Sequence, residues 1–160
     1  MKKSLIVVYS YHHNNTAKVA DSMAEALGCE VEHLGEIADE DISNYDMIGF
    51  GAGIDSGKHY APLLEFAQGL QMVQDKKAFI FSTCAVLGTN KVKKNHAALR
   101  EILVSKGYQI IDEFACKGYN TNSFLKHIGG MNKGHPNTDD LQNAVDFARN
   151  LTVKEGEKNE

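Results

Sequence analysis

The chain has no tryptophan, two prolines and three cysteines. It also lacks any apolar run near the roughly 20 residues that a membrane-spanning helix requires. Each shortage excludes something. With Pro62 and Pro136 alone, no proline-rich linker divides the chain into domains. Cys29, Cys84 and Cys116 are odd in number and lack the close paired spacing of a zinc site, so reduced thiols fit better than a disulfide framework or a metal. Basic residues are also scarce: 17 Lys and Arg against 21 Asp and Glu leave a formal charge of −4. That balance excludes a nucleic-acid footprint and is compatible with docking onto the basic patch of a protein partner. The opening Met1-Lys2-Lys3-Ser4 passes into a short apolar stretch with no small-residue cleavage site, which reads as a strand and not as an export signal. The expectation is a soluble, cytoplasmic protein with no membrane insertion, monomeric or homodimeric.

What is present is alternation. A chain of 160 residues can bury its own core as one domain, taken as residues 1–152, followed by a charged tail over 153–160. Ser4 to Tyr9 is apolar and β-branched, as expected of a parallel strand covered on both faces. From Thr16 the spacing becomes helical through Val19, Ala20, Met23, Ala24 and Leu27, and Gly28 ends the helix. Further strands are expected at 30–34, 46–50, 78–82 and 109–114, with Gly51-Ala52-Gly53 stopping the third. Helices are expected over 60–70 and 95–106. A Gly-rich loop over 117–136 precedes a last helix capped by Asn137 or Thr138, with the stripe Leu141, Ala144, Val145, Ala148 and Leu151. Strands alternating with helices imply an α/β three-layer sandwich around a five-stranded parallel sheet with right-handed crossovers, of order 2-1-3-4-5.

In such sheets ligands sit beyond the carboxyl ends of the strands where the order reverses, so the loops after strands one, three and four should converge. The first, Ser10-Tyr11-His12-His13-Asn14-Asn15-Thr16, enters a helix whose free N–H groups can hold a phosphate. The hydroxyls of Ser10 and Thr16, the amides of Asn14 and Asn15, and His12 or His13 would complete the cradle; the plainer reading is a capped helix start with exposed histidines. The second, Gly51-Ala52-Gly53-Ile54, has small residues that let backbone approach a flat ring, or it is simply a Gly-rich turn. The third contains Thr83, Cys84, Ala85 and Gly88, small residues at the end of an apolar strand. Cys84 is more readily a small buried hydrophobe than a reactive thiol. Lys91, Lys93 and Lys94 beside this loop form a basic run that is ordinarily a solvated helix start, with an acidic partner or a nicotinamide phosphate as the alternative occupant. The stretch from Gly53 to His59 has one residue too few between its glycines for a nucleotide-hydrolase phosphate loop and no Ser or Thr after Lys58. No metal site is expected, because adjacent histidines rarely reach one ion.

Residues 9–16, 51–54 and 83–88 resemble the three flavin loops of the flavodoxin family, and the likeness runs through nearly the whole domain. It especially resembles flavodoxin-like proteins of anaerobic microbes with a His-His-x-Asn-Thr phosphate loop and a late Gly-Gly-x-Asn-Lys-Gly-His-Pro segment, here residues 12–16 and 129–136. The resemblance implies bound FMN, with loop one on the phosphate and loops two and three around the isoalloxazine. It implies electron transfer between redox protein partners with no catalytic side chain; the alternative is an FMN-dependent NAD(P)H:quinone-type oxidoreductase of the same fold. A third reading is an interaction module that kept the fold and lost the flavin. Departures from the family are Asn14 in place of a glycine, histidines in place of hydroxyl residues, and the missing tryptophan, which leaves Tyr60, His59 or Tyr119 to cover the ring. Loop three also has few acidic residues, so the penalty on a reduced, anionic flavin is expected to be smaller.

Overall fold

The structure is a computed structural model, and it describes residues 2–11, 13–37, 42–121 and 127–157. Its elements run β1 (Ser4–Tyr9), α1 (Asn15–Leu27), β2 (Glu30–His33), β3 (Met47–Asp55), β4 (Lys58–His59), α2 (Ala61–Gly69), β5 (Lys76–Cys84), α3 (Thr89–Ser105), β6 (Tyr108–Lys117) and α4 (Thr138–Glu157). The parallel sheet has the order β2-β1-β3-β5-β6, which is the expected 2-1-3-4-5 once the short antiparallel β4 at the end of β3 is set aside. The sandwich has two cores. One face of the sheet buries Leu5, Val7, Ile48, Phe50 and Ile80 beneath Leu63 and Ala67 of α2 and Leu99 and Leu103 of α3. The other buries Ile6, Val8, Phe79 and Phe81 beneath Val19, Ala20 and Met23 of α1 and Ala144, Ala148 and Leu151 of α4. The apolar stripes read from helical spacing are the residues that meet the sheet. No helix among the described residues is long and apolar enough to cross a membrane.

The sequence reading needs one main correction. Gly51-Ala52-Gly53 does not stop the third strand; β3 continues to Asp55 and turns back through Ser56 and Gly57 into β4. The glycines act as packing residues. A Cβ at Gly49 would lie 2.2 Å from the Phe79 ring, and one at Gly51 would lie 2.2 Å from the Phe81 ring, so the aromatic rings of β5 occupy the space that side chains on β3 would fill. Paired strands in register, Gly49 opposite Phe79 and Gly51 opposite Phe81, make this possible. Two helices are also longer than expected. The start of α3 is Thr89 and not residue 95, while α4 runs to Glu157, into the segment read as a tail. Asn137 caps α4 as expected: its Oδ1 accepts from the Asp140 amide at 2.9 Å, and Asp140 Oδ2 accepts from the Asn137 amide at 2.8 Å.

A buried polar chain ties β4 to the rest. The His59 ring, 1% exposed, lies 4.9 Å from the His96 ring of α3, and its Nε2 donates to the Phe81 carbonyl at 3.1 Å, leaving Nδ1 buried with no partner. His96 Nε2 is 2.7 Å from Ser82 Oγ and its Nδ1 is 2.9 Å from Glu113 Oε1; Arg100 closes the chain with a two-pronged grip on the same carboxylate. Glu113 reaches this face because the β5–β6 register shifts between Ala78 and Phe79, turning the strand beyond Ile110 by one residue.

Two predictions follow from these contacts. Gly51→Ala should lower the stability by about 1–3 kcal/mol through overpacking, read as a fall in the urea midpoint, and adding Phe81→Leu should recover part of the loss. Burial and the neighbouring His96 lower His59 from 6.5 to about 3. Burial disfavours the Glu113 carboxylate, but hydrogen bonds from His96 and Arg100 prevail and lower it from 4.5 to about 2. Both groups bind protons more readily unfolded than folded. The stability they confer is therefore full above pH 6.5 and is lost as the pH falls through the range down to about 2. Urea midpoints measured from pH 8 to pH 4 should decline below about 6.5 in the wild type and decline less between pH 6.5 and 5 in His59→Gln. Equal slopes in the two proteins would remove His59 from the account.

Candidate functional site

The carboxyl ends of β1, β3 and β5 meet at a cleft whose walls come from three loops and from the start of the segment after β6. The first wall is Tyr11, Asn15 and Thr16; the second is Gly53, Ile54 and Tyr60; the third is Thr83, Cys84 and Ala85; and Gly118, Tyr119 and Asn120 close the fourth side. The cleft holds about 30 Å³, and a neighbouring outer bay of about 240 Å³ between the β3–β4 hairpin and the start of α3 shares Ile54, Cys84, Ala85 and Asn120 with its lining. A larger hollow of about 800 Å³ lies at the opposite end of the sheet, lined by Lys2, Lys3, Cys29 and Thr152, away from the end where open parallel sheets bind ligands.

Loop one has the features of an anion cradle. His13 and Asn14 both take left-handed backbone conformations, φ 51° and 54°, which turns the chain abruptly into α1. Asn14 is the N-cap but supplies no side-chain cap bond, and the first turn contains no acidic residue, so the leading amides of α1 at Asn15 and Thr16 have no partner within the helix. Ser10 Oγ accepts from the Ala17 amide at 3.2 Å, fixing the loop from behind. Thr16 is 2% exposed, and its hydroxyl lies 2.9 Å from the Thr83 hydroxyl, joining loop one to loop three at the cleft wall.

Asn15 spans the cleft. Its Nδ2 donates to the Tyr119 carbonyl at 2.8 Å, while its Oδ1 is buried in the cleft wall without a hydrogen-bond partner. A buried acceptor with no donor is costly, by about 1–3 kcal/mol. The chain after β6 fits closely here: a Cβ at Gly118 would lie 2.8 Å from Asn15 Nδ2 and 3.1 Å from Thr83. Tyr119 packs against His13 with ring centroids 4.4 Å apart and planes tilted by 37°, and His13 Nε2 is 2.9 Å from Thr121 Oγ1. On the opposite wall Tyr60 meets Tyr9 and Tyr11 edge-on, at 6.0 and 6.2 Å.

The late Gly-Gly-Met-Asn-Lys-Gly-His-Pro segment serves as a strap. Asn120 and Met131 exchange backbone hydrogen bonds at 2.8 and 2.7 Å, the Tyr119 amide donates to the His135 carbonyl at 2.8 Å, and Asn132 Nδ2 donates to the Ala85 carbonyl of loop three at 2.6 Å. Loop three is thereby held from both sides, by Thr16 on Thr83 and by Asn132 on Ala85. Burial raises the Cys84 thiol to about 11, against the opposing effects of Lys91 and of its contact with the Val86 carbonyl, so at neutral pH it is a protonated wall residue and not a nucleophile. Burial also raises Cys29 to about 11, and Cys116 shifts up for the same reason.

Of the residues singled out from sequence, Tyr11, Asn15, Thr16, Gly53, Ile54, Thr83, Cys84, Ala85 and Tyr119 line the cleft. Ser10, His13 and Asn14 support or border it. His12 lies outside the described residues. Gly51 and Ala52 face the two cores and Gly88 is the exposed N-cap of α3, so none of the three reaches the cleft walls. His59, one of three aromatics considered for covering a ring, is enclosed against His96; Tyr60 and Tyr119 are the aromatics at the walls. Sequence reasoning missed Gly118, Asn120 and Asn132, and only the density of Gly and Asn in the late loop marked that region.

Comparison with known proteins agrees with this geometry. A family model described as a flavodoxin domain matches residues 6–133. An uncharacterised protein of Methanocaldococcus jannaschii is 42% identical over 149 residues, covering 93% of this chain and 97% of that one. Among solved structures, oxidised flavodoxin 2 of Bacillus cereus superimposes with a TM-score of 0.70 at 15% identity, covering 95% of this chain and 99% of that one. A Fusobacterium nucleatum flavodoxin bound to flavin mononucleotide gives 0.66 at 12% identity, covering 96% and 99%. The chain belongs to the flavodoxin-domain family.

Proposed function

We propose that this chain binds FMN in the cleft and passes electrons between redox proteins. The observation that carries the reading is the pairing, in one cleft wall, of a helix N-terminus whose N-cap residue makes no cap bond with the unpartnered Asn15 Oδ1. The leading amides of α1 at Asn15 and Thr16 and the positive end of the helix suit a phosphate. Asn15 Oδ1 suits a donor such as a ribityl hydroxyl or a ring N–H, which FMN offers and a simple anion does not. When bound, FMN would supply reversible one- and two-electron chemistry. The protein's part is to hold and enclose: loop one anchors the charged end, Tyr60 and Tyr119 present aromatic surface, and Gly53, Thr83 and Ala85 present backbone to a ring edge. No side chain of the cleft is set up as a nucleophile. The outer bay, lined in part by Lys91, Asn95 and Asn120, favours a second reading, an FMN-dependent reductase admitting a small acceptor beside the ring.

Titrating the apoprotein with flavins tests the first reading. FMN should perturb the visible flavin spectrum and bind at least about tenfold more tightly than riboflavin, because only FMN offers a phosphate to the helix end. Subsequent anaerobic NADH or NADPH should leave the spectrum unchanged in a carrier and bleach it rapidly in a reductase. No spectral change on adding FMN would sink both. Because the Thr16 hydroxyl joins two loops, Thr16→Val should weaken FMN and riboflavin by similar factors, and a loss confined to FMN would place that hydroxyl on the phosphate instead.

A further inference from the structure

We propose that the rim of the cleft on the loop-three side is a docking surface for an acidic redox protein. This inference rests on the electron-carrier reading and names the partner that the reading left open.

The charge near the cleft is opposite in sign to the charge of the chain as a whole. Although the chain carries −4, Lys91, Lys93 and Lys94 crowd the first turns of α3, Lys117 stands in register opposite Cys84, and Lys133 follows the Asn132 that grips Ala85. None of these five makes an ion pair or side-chain hydrogen bond among the described residues, whereas Arg100 and Lys154 are engaged with Glu113 and Asp112. Lys91 lies close enough to the cleft to act on the Cys84 thiol. Asp55 at the hairpin tip is the one carboxylate lining the outer bay.

The placement of the lysines also works against the fold. Cations at a helix N-terminus oppose its dipole, and α3 has neither an acidic residue in its first turn nor a side-chain cap to offset them. An arrangement that disfavours the isolated helix is better explained by a partner that neutralises it. Exposed apolar side chains neighbour them in the chain: Val86 at 43% and Leu87 at 40% precede Lys91, and Met131 at 36% precedes Lys133. An apolar centre within a charged rim is the anatomy of a transient protein interface, where charge sets encounter and orientation and apolar contact supplies adhesion. A small phosphate ligand would instead need donors converging on one point. The expectation from net charge, docking onto a basic partner, is reversed at the place where electrons would pass.

The test uses two stand-in partners of opposite charge, an acidic plant-type ferredoxin and basic cytochrome c, each titrated against the wild type and against Lys91→Glu/Lys93→Glu/Lys94→Glu/Lys133→Glu. The acidic protein should bind the wild type at about 20 mM salt and weaken roughly tenfold or more by about 300 mM. It should weaken at least about tenfold in the variant, while cytochrome c gains. The variant should melt no lower than the wild type, because acids now stand at the helix N-terminus, so lost docking is not lost folding. Stronger binding of cytochrome c than of ferredoxin to the wild type overturns the proposal. So does unchanged ferredoxin binding in the variant, including the case where NADPH but not NADH weakens, which would assign the lysines to a dinucleotide phosphate. Flavin titration of the same samples separates the two readings: ferredoxin docking on a wild type that takes up no FMN supports the surface and defeats the flavin reading alone.

Discussion

The close approach of β5 to β3 is the constraint on which the rest of the molecule depends. Phe79 and Phe81 lie over Gly49 and Gly51, and no side chain larger than hydrogen fits between ring and strand. This packing keeps β3 extended past the point where its composition suggests a turn, and the extension creates the hairpin that carries His59 inward and Tyr60 to the cleft wall. Ile80 and Ser82 then point to the opposite face, Ser82 toward His96, while Thr83 points to α1 and meets Thr16. A core made of aromatic rings over glycine thus sets the geometry of loops several residues away.

The architecture was legible because its signals are periodic. Runs such as Leu5-Ile6-Val7-Val8 are buried on both sheet faces, and the stripe Leu141, Ala144, Ala148 and Leu151 has one helical face. The cleft was legible by topology, since sheet order alone sends the loops after β1, β3 and β5 to one place. What stayed hidden depends on partners distant in sequence. Glycine reads as a turn residue until a phenylalanine from another strand is known to need the space, which is why Gly51 and Ala52 were assigned to a loop. Nothing local to Thr16 points to its hydroxyl contact with Thr83, and nothing local to Asn132 points to the Ala85 carbonyl.

Two polar arrangements in the structure differ in kind. The chain from Arg100 through Glu113 and His96 to Ser82 is well satisfied and makes no opening to the cleft; its one loose end is His59 Nδ1, enclosed beside the second imidazole. Asn15 Oδ1 is equally buried and unpartnered, but it belongs to a residue of the cleft wall, where His59 does not reach.

The β4 stub has one more consequence, for association between copies. Beyond Ala52 and Gly53 the third strand has outrun both parallel neighbours, and Ile54 and Asp55 would present open backbone were they not paired with His59 and Lys58. Folding back on itself, the chain satisfies that protruding end internally and then tucks it against α3. At the sheet margin the Glu30-Val31-Glu32-His33 sequence of β2 puts like charges on alternate positions. Both features deny a second molecule an inviting strand at the β2 margin and at the end of β3.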